Sequence, residues 1–231
     1  MPRPCAFAAA RRAVAALGVL PLILALPSSA RADTQLWVMA SMTRSLSDQW
    51  RVNVEVAPRW ERDVSDYSRT VMRAQLARVL GRSVALGVGY EFQNPSAPYV
   101  RREHRIWQQA QLQHTGRRWT LSHRARFEQR WLRDVDPLVL RARYQFRAAH
   151  PIGHSRAWSW LLLDEILYTV RGDGRAYPQG LDRHRLGSGF GRVLSPHLTV
   201  EGGYTWQVIN RPGRLPIQHD HLILFNVLAR Y

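Results

Sequence analysis

Alternation of apolar and polar residues along most of the chain is the feature that most restricts its fold. From Trp50 to Trp60 the even positions are apolar, with a Trp at each end, and the odd positions are mainly polar. Comparable segments occupy residues 84–93, 119–131, 138–147 and 198–207. A period of two is typical of β-strands with two unlike faces, whereas no stretch shows the 3.6-residue apolar period of a helix. The pattern therefore predicts an all-β fold.

The number of strands follows from counting these segments. Weaker alternation predicts five more strands, at residues 69–80, 103–114, 157–169, 181–194 and 220–231. Residues 34–41 bring the count to eleven, whereas bacterial single-chain membrane barrels have an even number of strands. We therefore expect ten strands, with residues 34–41 as a short lead-in; twelve strands are the alternative.

The distribution of aromatic and charged residues favours a membrane barrel over a soluble one. Six aromatic residues lie at the ends of apolar faces, as the interfacial girdles of outer-membrane barrels do: Trp50, Trp60, Tyr90, Phe92, Trp119 and Trp131. The polar faces carry Arg and Glu, which suit a polar lumen. The chain ends on Tyr231, preceded at steps of two by Ala229, Val227, Phe225 and Ile223. We predict an antiparallel up-and-down transmembrane β-barrel; a soluble, periplasmic lipocalin-like binding protein is an alternative.

The N-terminus predicts export. Arg3, Arg11 and Arg12 precede an apolar run at residues 13–26 that is too short to span a bilayer, and Ala30-Arg31-Ala32 forms a cleavage site. We interpret residues 1–32 as a cleaved signal peptide and residues 33–231 as an outer-membrane β-barrel domain of a Gram-negative bacterium. Cleavage removes Cys5, the only cysteine, so disulfides and thiol chemistry are not expected.

The formal net charge of +16 suggests a nucleic-acid-binding protein, but export argues against that class. All 33 basic residues are Arg, and four of them lie in the predicted signal peptide. Short connections at residues 81–83, 115–118 and 195–197 alternate with longer ones at 94–102, 170–180 and 208–219. Outer-membrane barrels have short periplasmic turns and longer outer loops, so we expect the short set and the C-terminus in the periplasm. Residues 148–156 then form a long periplasmic turn, which does not fit the alternation.

Several short motifs, in this order and spacing, resemble the domain of unknown function 2490 family of outer-membrane β-barrel proteins. They are DTQLW at 33–37, REHRIWQQ at 102–109, RARFEQR at 124–130, RARY at 141–144, DE at 164–165, DRHR at 182–185 and EGGY at 201–204. The resemblance covers essentially all of residues 33–231. It implies a barrel in the outer membrane and brings neither an assigned activity nor catalytic residues.

Charged residues on the predicted inner faces are the candidate functional residues. The alternation indicates a lumen charge network that contains Glu91, Glu103, Arg105, Arg124, Arg126, Glu128, Arg130, Arg141, Arg143, Glu165, Arg183, Arg185 and Glu201. Further inward charges are Arg51, Glu55, Arg59, Arg69, Arg73 and Arg147. Guanidinium groups in a pore would attract anions, whereas a barrel this narrow is expected to be filled by its side chains and held by Arg–carboxylate pairs. We expect a structural or narrow, anion-favouring transport component.

A membrane-embedded lipid or lipopolysaccharide hydrolase is the rival function. It would need a Ser, a His and a carboxylate, for which Ser122, His104 and Glu103 are candidates. Glu103 and His104 are adjacent on one strand and so point to opposite faces, which argues against this set. We therefore expect no enzymatic activity.

The remaining residues indicate which metals, cofactors and partners are expected. His219 and His221 supply only two imidazoles on one face, too few ligands for a stable metal site, and we expect no cofactor. Arginines of the predicted outer loops are expected to pair with lipopolysaccharide phosphates: Arg101, Arg102, Arg171, Arg175, Arg211 and Arg214. Outer-membrane lipid, and the barrel-assembly machinery during biogenesis, are the other expected partners of a monomer that does not bind nucleic acid.

Overall fold

The computed structural model describes residues 32–98, 101–136, 138–154, 157–210 and 216–231. The described residues form a closed barrel of eleven strands and contain no helix. The strands, in chain order, are β1 Ala32–Ser45, β2 Trp50–Glu61, β3 Asp66–Leu80, β4 Val84–Pro95, β5 Glu103–Thr115, β6 Thr120–Leu132, β7 Val139–Ile152, β8 Trp158–Arg171, β9 Gly180–Ser195, β10 Leu198–Ile209 and β11 Gln218–Arg230. The predicted signal peptide lies outside the described residues, except for Ala32. No described helix is long and apolar enough to cross a membrane.

The all-β prediction is confirmed, but the prediction of ten strands is wrong. Residues 34–41 are not a lead-in: they belong to β1, which pairs with β2 on one side and with β11 on the other. The β1–β11 pair is parallel and runs from Ala32↔His219 to Thr43↔Arg230, whereas all other neighbours are antiparallel. The barrel is therefore up-and-down only from β1 to β11, and a parallel seam closes it.

The connections divide the barrel into two unlike ends. The short-turn end carries the β1–β2, β3–β4, β5–β6, β7–β8 and β9–β10 connections, together with Tyr231. The long-loop end carries the β2–β3, β4–β5, β6–β7, β8–β9 and β10–β11 connections. The predicted long turn at residues 148–156 is wrong, because β7 continues to Ile152. Connection length thus separates the two ends, except that the β2–β3 turn at residues 62–65 is as short as the turns at 46–49 and 116–119.

Burial in this barrel is reversed relative to a soluble protein. Sixteen polar or charged residues are buried, against eight hydrophobic ones, among the residues the structure describes. The same region exposes 34 large hydrophobic side chains, including Val88 at 54% and Phe190 at 55%. Alternation along each strand sends the apolar side chains outward and the polar ones into the lumen. The core of this barrel is therefore a set of hydrogen-bonded ions.

Four strand irregularities interrupt the alternation. The register shifts at Arg59/Trp60, Leu140/Arg141, Leu167/Tyr168 and Leu198/Thr199, where one strand has an extra residue relative to its neighbour. Such bulges bend a strand and change which side chains face inward. One of them turns Asp182 into the lumen beside Arg183.

Candidate functional site

Glu128 is the centre of the ion network in the lumen. Its Oε2 accepts hydrogen bonds from Arg141 Nε and Nη2 at 2.8 and 2.5 Å, and its Oε1 accepts one from Arg143 Nη1 at 2.9 Å. Arg105 and Arg126 lie 3.9 and 4.0 Å from the same carboxylate. Glu128 is fully buried, so these guanidinium groups replace the water that a carboxylate otherwise requires.

Two further carboxylates extend the network toward β3 and β4. Glu103 accepts hydrogen bonds from Arg105 and from Arg130, the latter at 2.6 Å between Arg130 Nε and Oε1. Glu91 lies 2.8 Å from Arg105 Nη1 and accepts a 2.5 Å bond from Arg73 Nε. Each carboxylate thus joins Arg side chains from different strands, and the network braces the barrel wall across its hydrogen-bonded ladders.

Glu165 on β8 connects this network with the opposite wall. Its Oε1 accepts bonds from Arg143 and Arg124 at 2.7 and 3.1 Å, and its Oε2 accepts one from Arg185 at 2.8 Å. Asp182 adds a pair with Arg141 at 3.4 Å across the intervening strand β8. The ion pairs therefore reach from β2 to β9.

The structure places all thirteen predicted network residues on the inner wall. Twelve of them belong to one connected set of ion pairs, together with Glu55, Arg73 and Asp182. Glu201 is the exception: it pairs with Arg147 at 2.5 Å in a separate contact. The connected set contains nine Arg and six carboxylates, so its cations exceed its anions.

Several inward residues were missed at the sequence level. Asp182 was missed because a bulge, which period-two counting cannot detect, turns it inward. Glu61 pairs with Arg69 at 3.1 Å but lies one residue beyond the predicted end of its strand. Asp220 is fully buried and accepts hydrogen bonds from Gln207 and Gln35 at 3.0 and 3.2 Å. The predicted strand begins at Asp220, so no earlier residue of that strand indicated which face Asp220 lies on.

The lumen is packed most tightly toward the long-loop end. Several of its inward side chains there are buried, among them Ser68, Val71, Glu91, Val139 and Asp220. Tyr177 of the β8–β9 connection covers this end, with the Arg130 guanidinium carbon 4.9 Å from its ring centroid.

Asp173 fixes the connection that holds Tyr177. Its carboxylate accepts backbone hydrogen bonds from Tyr177 at 2.7 Å and from Arg175 at 3.0 Å. Slight burial raises the pKa of Asp173, but these backbone N–H groups outweigh it and hold the pKa below its ordinary value. The charged form of Asp173 thus stabilises the loop over the lumen.

The lumen contains a chamber of about 510 Å³. Inward side chains become exposed toward the short-turn end, as Arg51 on β2 and Gln113 on β5 do. The chamber extends from Tyr177 to Thr43 and Arg230, and most of its wall on β2–β7 consists of arginines. The lumen is therefore packed most tightly toward the long-loop end and most exposed toward the short-turn end.

The chamber wall on β8–β11 and β1 contains an apolar stretch of leucines and glycines beside charged residues such as Glu165, Arg185 and Glu201. One row crosses five adjacent strands in register: Leu161, Gly189, Gly203, Leu224 and Trp37. The next row toward the long-loop end contains Leu163, Gly187, Thr205 and Leu222. The strands β9 and β10 approach so closely that a Cβ on Gly203 would lie 2.8 Å from the Ser188 carbonyl oxygen. Glycines therefore leave the chamber open on this side.

Arg59 differs from the other lumen arginines. Its guanidinium carbon lies 3.8 Å from the ring centroid of Trp37, and Arg185 lies 5.0 Å from the same ring. Among the described residues no side chain accepts a hydrogen bond from the Arg59 guanidinium, and no carboxylate forms an ion pair with it. Its Nε is buried. Arg59 is thus a lumen cation held by a cation–π contact alone.

The candidate hydrolase residues are not brought together. Glu103 faces inward with Arg105 and Arg130, whereas His104 faces outward and its Nδ1 lies 2.5 Å from the Tyr90 hydroxyl. Ser122 is paired with Gln113, far along the strands from His104, which is paired with Trp131.

An Asp–His pair occurs instead on the outer face. Asp164 Oδ1 and His184 Nε2 are 2.7 Å apart and both side chains are partly exposed. No serine or threonine hydroxyl is bonded to His184 in the described ranges. The pair therefore does not form a Ser–His–Asp arrangement with a described hydroxyl.

The two histidines considered for metal binding lie on one strand, although the sequence pattern predicts His219 at the end of a connection. His219 and His221 belong to β11 and face outward, where His219 stacks on Trp206 and His221 Nδ1 lies 2.6 Å from the Tyr204 hydroxyl. The intervening Asp220 faces the lumen. No group of three metal-ligating residues occurs in the part of the chain that the structure covers.

The loop arginines lie partly outside that region. Arg101 and Arg102 precede β5, Arg171 ends β8 and Arg175 lies in the β8–β9 connection, all at the long-loop end and exposed. Arg211 and Arg214 are outside the described residues. A further groove, of about 860 Å³, lies on the outer face above the row of small side chains Ala110, Ala125 and Ala142.

Comparison with known proteins gives a family but no activity. A family model described as a protein of unknown function (DUF2490) matches residues 34–218. An uncharacterized protein of Methylorubrum extorquens is 28% identical over 208 residues, which cover 86% of this chain and 88% of that protein. No solved structure matches the chain.

Proposed function

The chain belongs to the DUF2490 family, and on that premise we propose that it is an outer-membrane β-barrel that binds a ligand in its lumen chamber and does not conduct. The observation that carries the proposal is the reversed burial: charged side chains fill the interior while apolar side chains cover the outside. An exposed apolar surface of this extent is unfavourable in water and favourable against lipid. A lipocalin-like soluble barrel would show the opposite arrangement.

The dimensions and girdles agree with a membrane location. Strands of 12 to 16 residues exceed the roughly 9–11 residues that a tilted strand needs to cross a bilayer. Outward aromatic side chains occur toward both ends, with Trp50 and Trp158 at the short-turn end and Trp131 and Tyr168 at the long-loop end. Such belts suit the two interfaces of a membrane.

The tight packing of the lumen toward the long-loop end supports binding rather than transport. A conducting path would need an open column, but Glu91 and Glu128 are fully buried among arginines and Tyr177 covers the long-loop end. Opening a path would separate buried ion pairs, at a cost of about 3–5 kcal/mol for each one broken. The chamber remains accessible from the short-turn end, which we propose faces the periplasm.

Membrane fractionation and bilayer recording test this proposal. We expect the mature chain in the outer-membrane fraction, with faster gel migration before boiling than after it. Planar bilayers that contain the protein should stay silent, and flotation of the same liposomes should verify insertion. A chain that stays in the periplasmic extract with no mobility shift contradicts the membrane location. Anion-selective conductance that falls in Arg126→Glu or Arg143→Glu contradicts the closed lumen and favours narrow transport.

A further inference from the structure

The chamber combines two walls that suit different parts of one molecule. The wall on β2–β7 presents guanidinium groups, and the wall on β8–β11 and β1 presents Leu161, Leu163, Leu222 and Leu224 beside three glycines. Its volume of about 510 Å³ lies within the range of roughly 300–1,000 Å³ that is usual for small-molecule sites. An inorganic anion would leave the leucine wall against water, and a neutral hydrocarbon would leave the cations without a partner.

Arg59 marks where an acidic group would bind. It lines the chamber, and the strongest charges acting on it are those of Arg73, Arg185 and Arg69 and of the Glu91 carboxylate. A cation inside a barrel is normally paired with a carboxylate, yet Arg59 has only the face of Trp37. With its carbon 3.8 Å from the ring centroid, the guanidinium keeps N–H donors that can make a bidentate contact with a carboxylate or phosphate.

Leu224 links this cationic centre to the apolar wall. In the strand register Leu224 is paired with Trp37, and Trp37 is paired with Arg59. Leu228, which also lines the chamber, continues the wall toward the short-turn end. An acidic group at Arg59 would therefore have an apolar track beside it that leads toward the mouth.

We propose that the chamber binds a single-chain organic anion, with its acidic group against Arg59 and Arg185 and its alkyl chain along the leucine and glycine wall. This deepens the proposed function, on which it rests for access to the chamber from the short-turn end. The surplus of cations in the lumen network selects the charge of the ligand. The leucine wall selects its apolar chain.

Quenching of Trp37 fluorescence by 2-bromododecanoate tests the proposal, since its bromine is adjacent to the carboxylate. The mature protein is placed in phosphatidylcholine nanodiscs and titrated with this probe. We expect saturable quenching that Trp37→Phe removes, above a linear background from acid dissolved in lipid. Unbrominated dodecanoate should reverse the quenching, whereas dodecyltrimethylammonium should not.

Two variants and a matched control make the result specific. Arg59→Gln should raise the half-saturating concentration by about tenfold or more, because a charge-assisted contact is lost. Leu224→Gln should weaken binding of 2-bromododecanoate but not of 2-bromobutyrate. Arg101→Gln removes the same charge from an exposed residue at the long-loop end, away from the basic rim, and should change nothing.

Failure of the inference can be told apart from failure of the proposed function. Inserted, non-conducting protein that shows no saturable quenching overturns the inference and leaves the proposed function standing. Equal affinity of Arg59→Gln and the unmodified protein, with both inserted, also overturns it. If Arg59→Gln does not insert, the chain-length comparison with Leu224→Gln decides instead. A chain that never enters the membrane contradicts the proposed function itself.

Discussion

Each central carboxylate in the lumen serves several guanidinium groups. Glu128 is within 4.0 Å of four arginines, Glu165 of three, and Glu91 and Glu103 of two each. Arg suits this sharing because its planar guanidinium offers five N–H donors and stays charged when buried. The stability of the wall therefore depends on a few carboxylates, since the loss of one leaves several buried cations uncompensated.

Glu128→Gln should destabilise the barrel strongly. The amide keeps the shape of the side chain but removes the charge that faces Arg141 and Arg143, and breaking a buried pair costs about 3–5 kcal/mol. We expect a lower urea midpoint for loss of the folded, fast-migrating gel band. Asp134→Asn is the control: Asp134 and Arg133 form an exposed pair at 3.9 Å, and such pairs contribute little. Equal midpoints for Glu128→Gln and the unmodified protein would refute the role given to Glu128.

At the scale of the strands, the sequence predicted correctly which side chains face the lumen, but it did not predict how the barrel closes. Period-two counting put the charges of β4–β7 on one face because a strand that separates lipid-like from ionic surroundings must alternate strictly. Asp182 was not predicted to face inward because a bulge is defined by the pairing of two strands and cannot be detected within one strand. β1 was predicted as a lead-in because the even-number rule for bacterial barrels was given more weight than the alternation of residues 34–41. The parallel seam could not be predicted because it depends on which strands are neighbours in the folded barrel. The leucine and glycine wall was not predicted either, because its residues come from five different strands.

Crosslinking across the parallel seam tests the role of β1. In a Cys5→Ser background, Ser41→Cys and Leu228→Cys lie directly opposite each other in the β1–β11 register. Mild oxidation should join them, and the boiled, unreduced chain should migrate faster because it is a closed loop. The mismatched pair Ser41→Cys and Leu224→Cys is four residues out of register and should not react. A ten-stranded barrel closed by β2 and β11 would give no crosslink with either pair.

Charge on the whole molecule is distributed unequally between its ends. Toward the short-turn end the described residues include eight arginines against one carboxylate: Arg44, Arg51, Arg78, Arg82, Arg117, Arg118, Arg192 and Arg230, with Asp48. The long-loop end mixes both signs. A basic rim around an open mouth raises the local concentration of anions, and Arg230 both belongs to this rim and lines the chamber. The rim and the chamber thus favour the same class of ligand, and the compartment that supplies it depends on the orientation of the barrel.

Cysteine labelling in intact cells determines that orientation. Arg175→Cys lies in the long β8–β9 connection and Arg82→Cys in the short turn 81–83, and both positions are exposed. In a Cys5→Ser background, a membrane-impermeant maleimide should label Arg175→Cys on intact cells and Arg82→Cys only after the outer membrane is permeabilised. This follows from the rule that outer-membrane barrels turn their long loops outward. The reverse labelling would mean that the basic mouth opens to the medium, so that the chamber would draw its anion from outside the cell while the ion network sealed the periplasmic side.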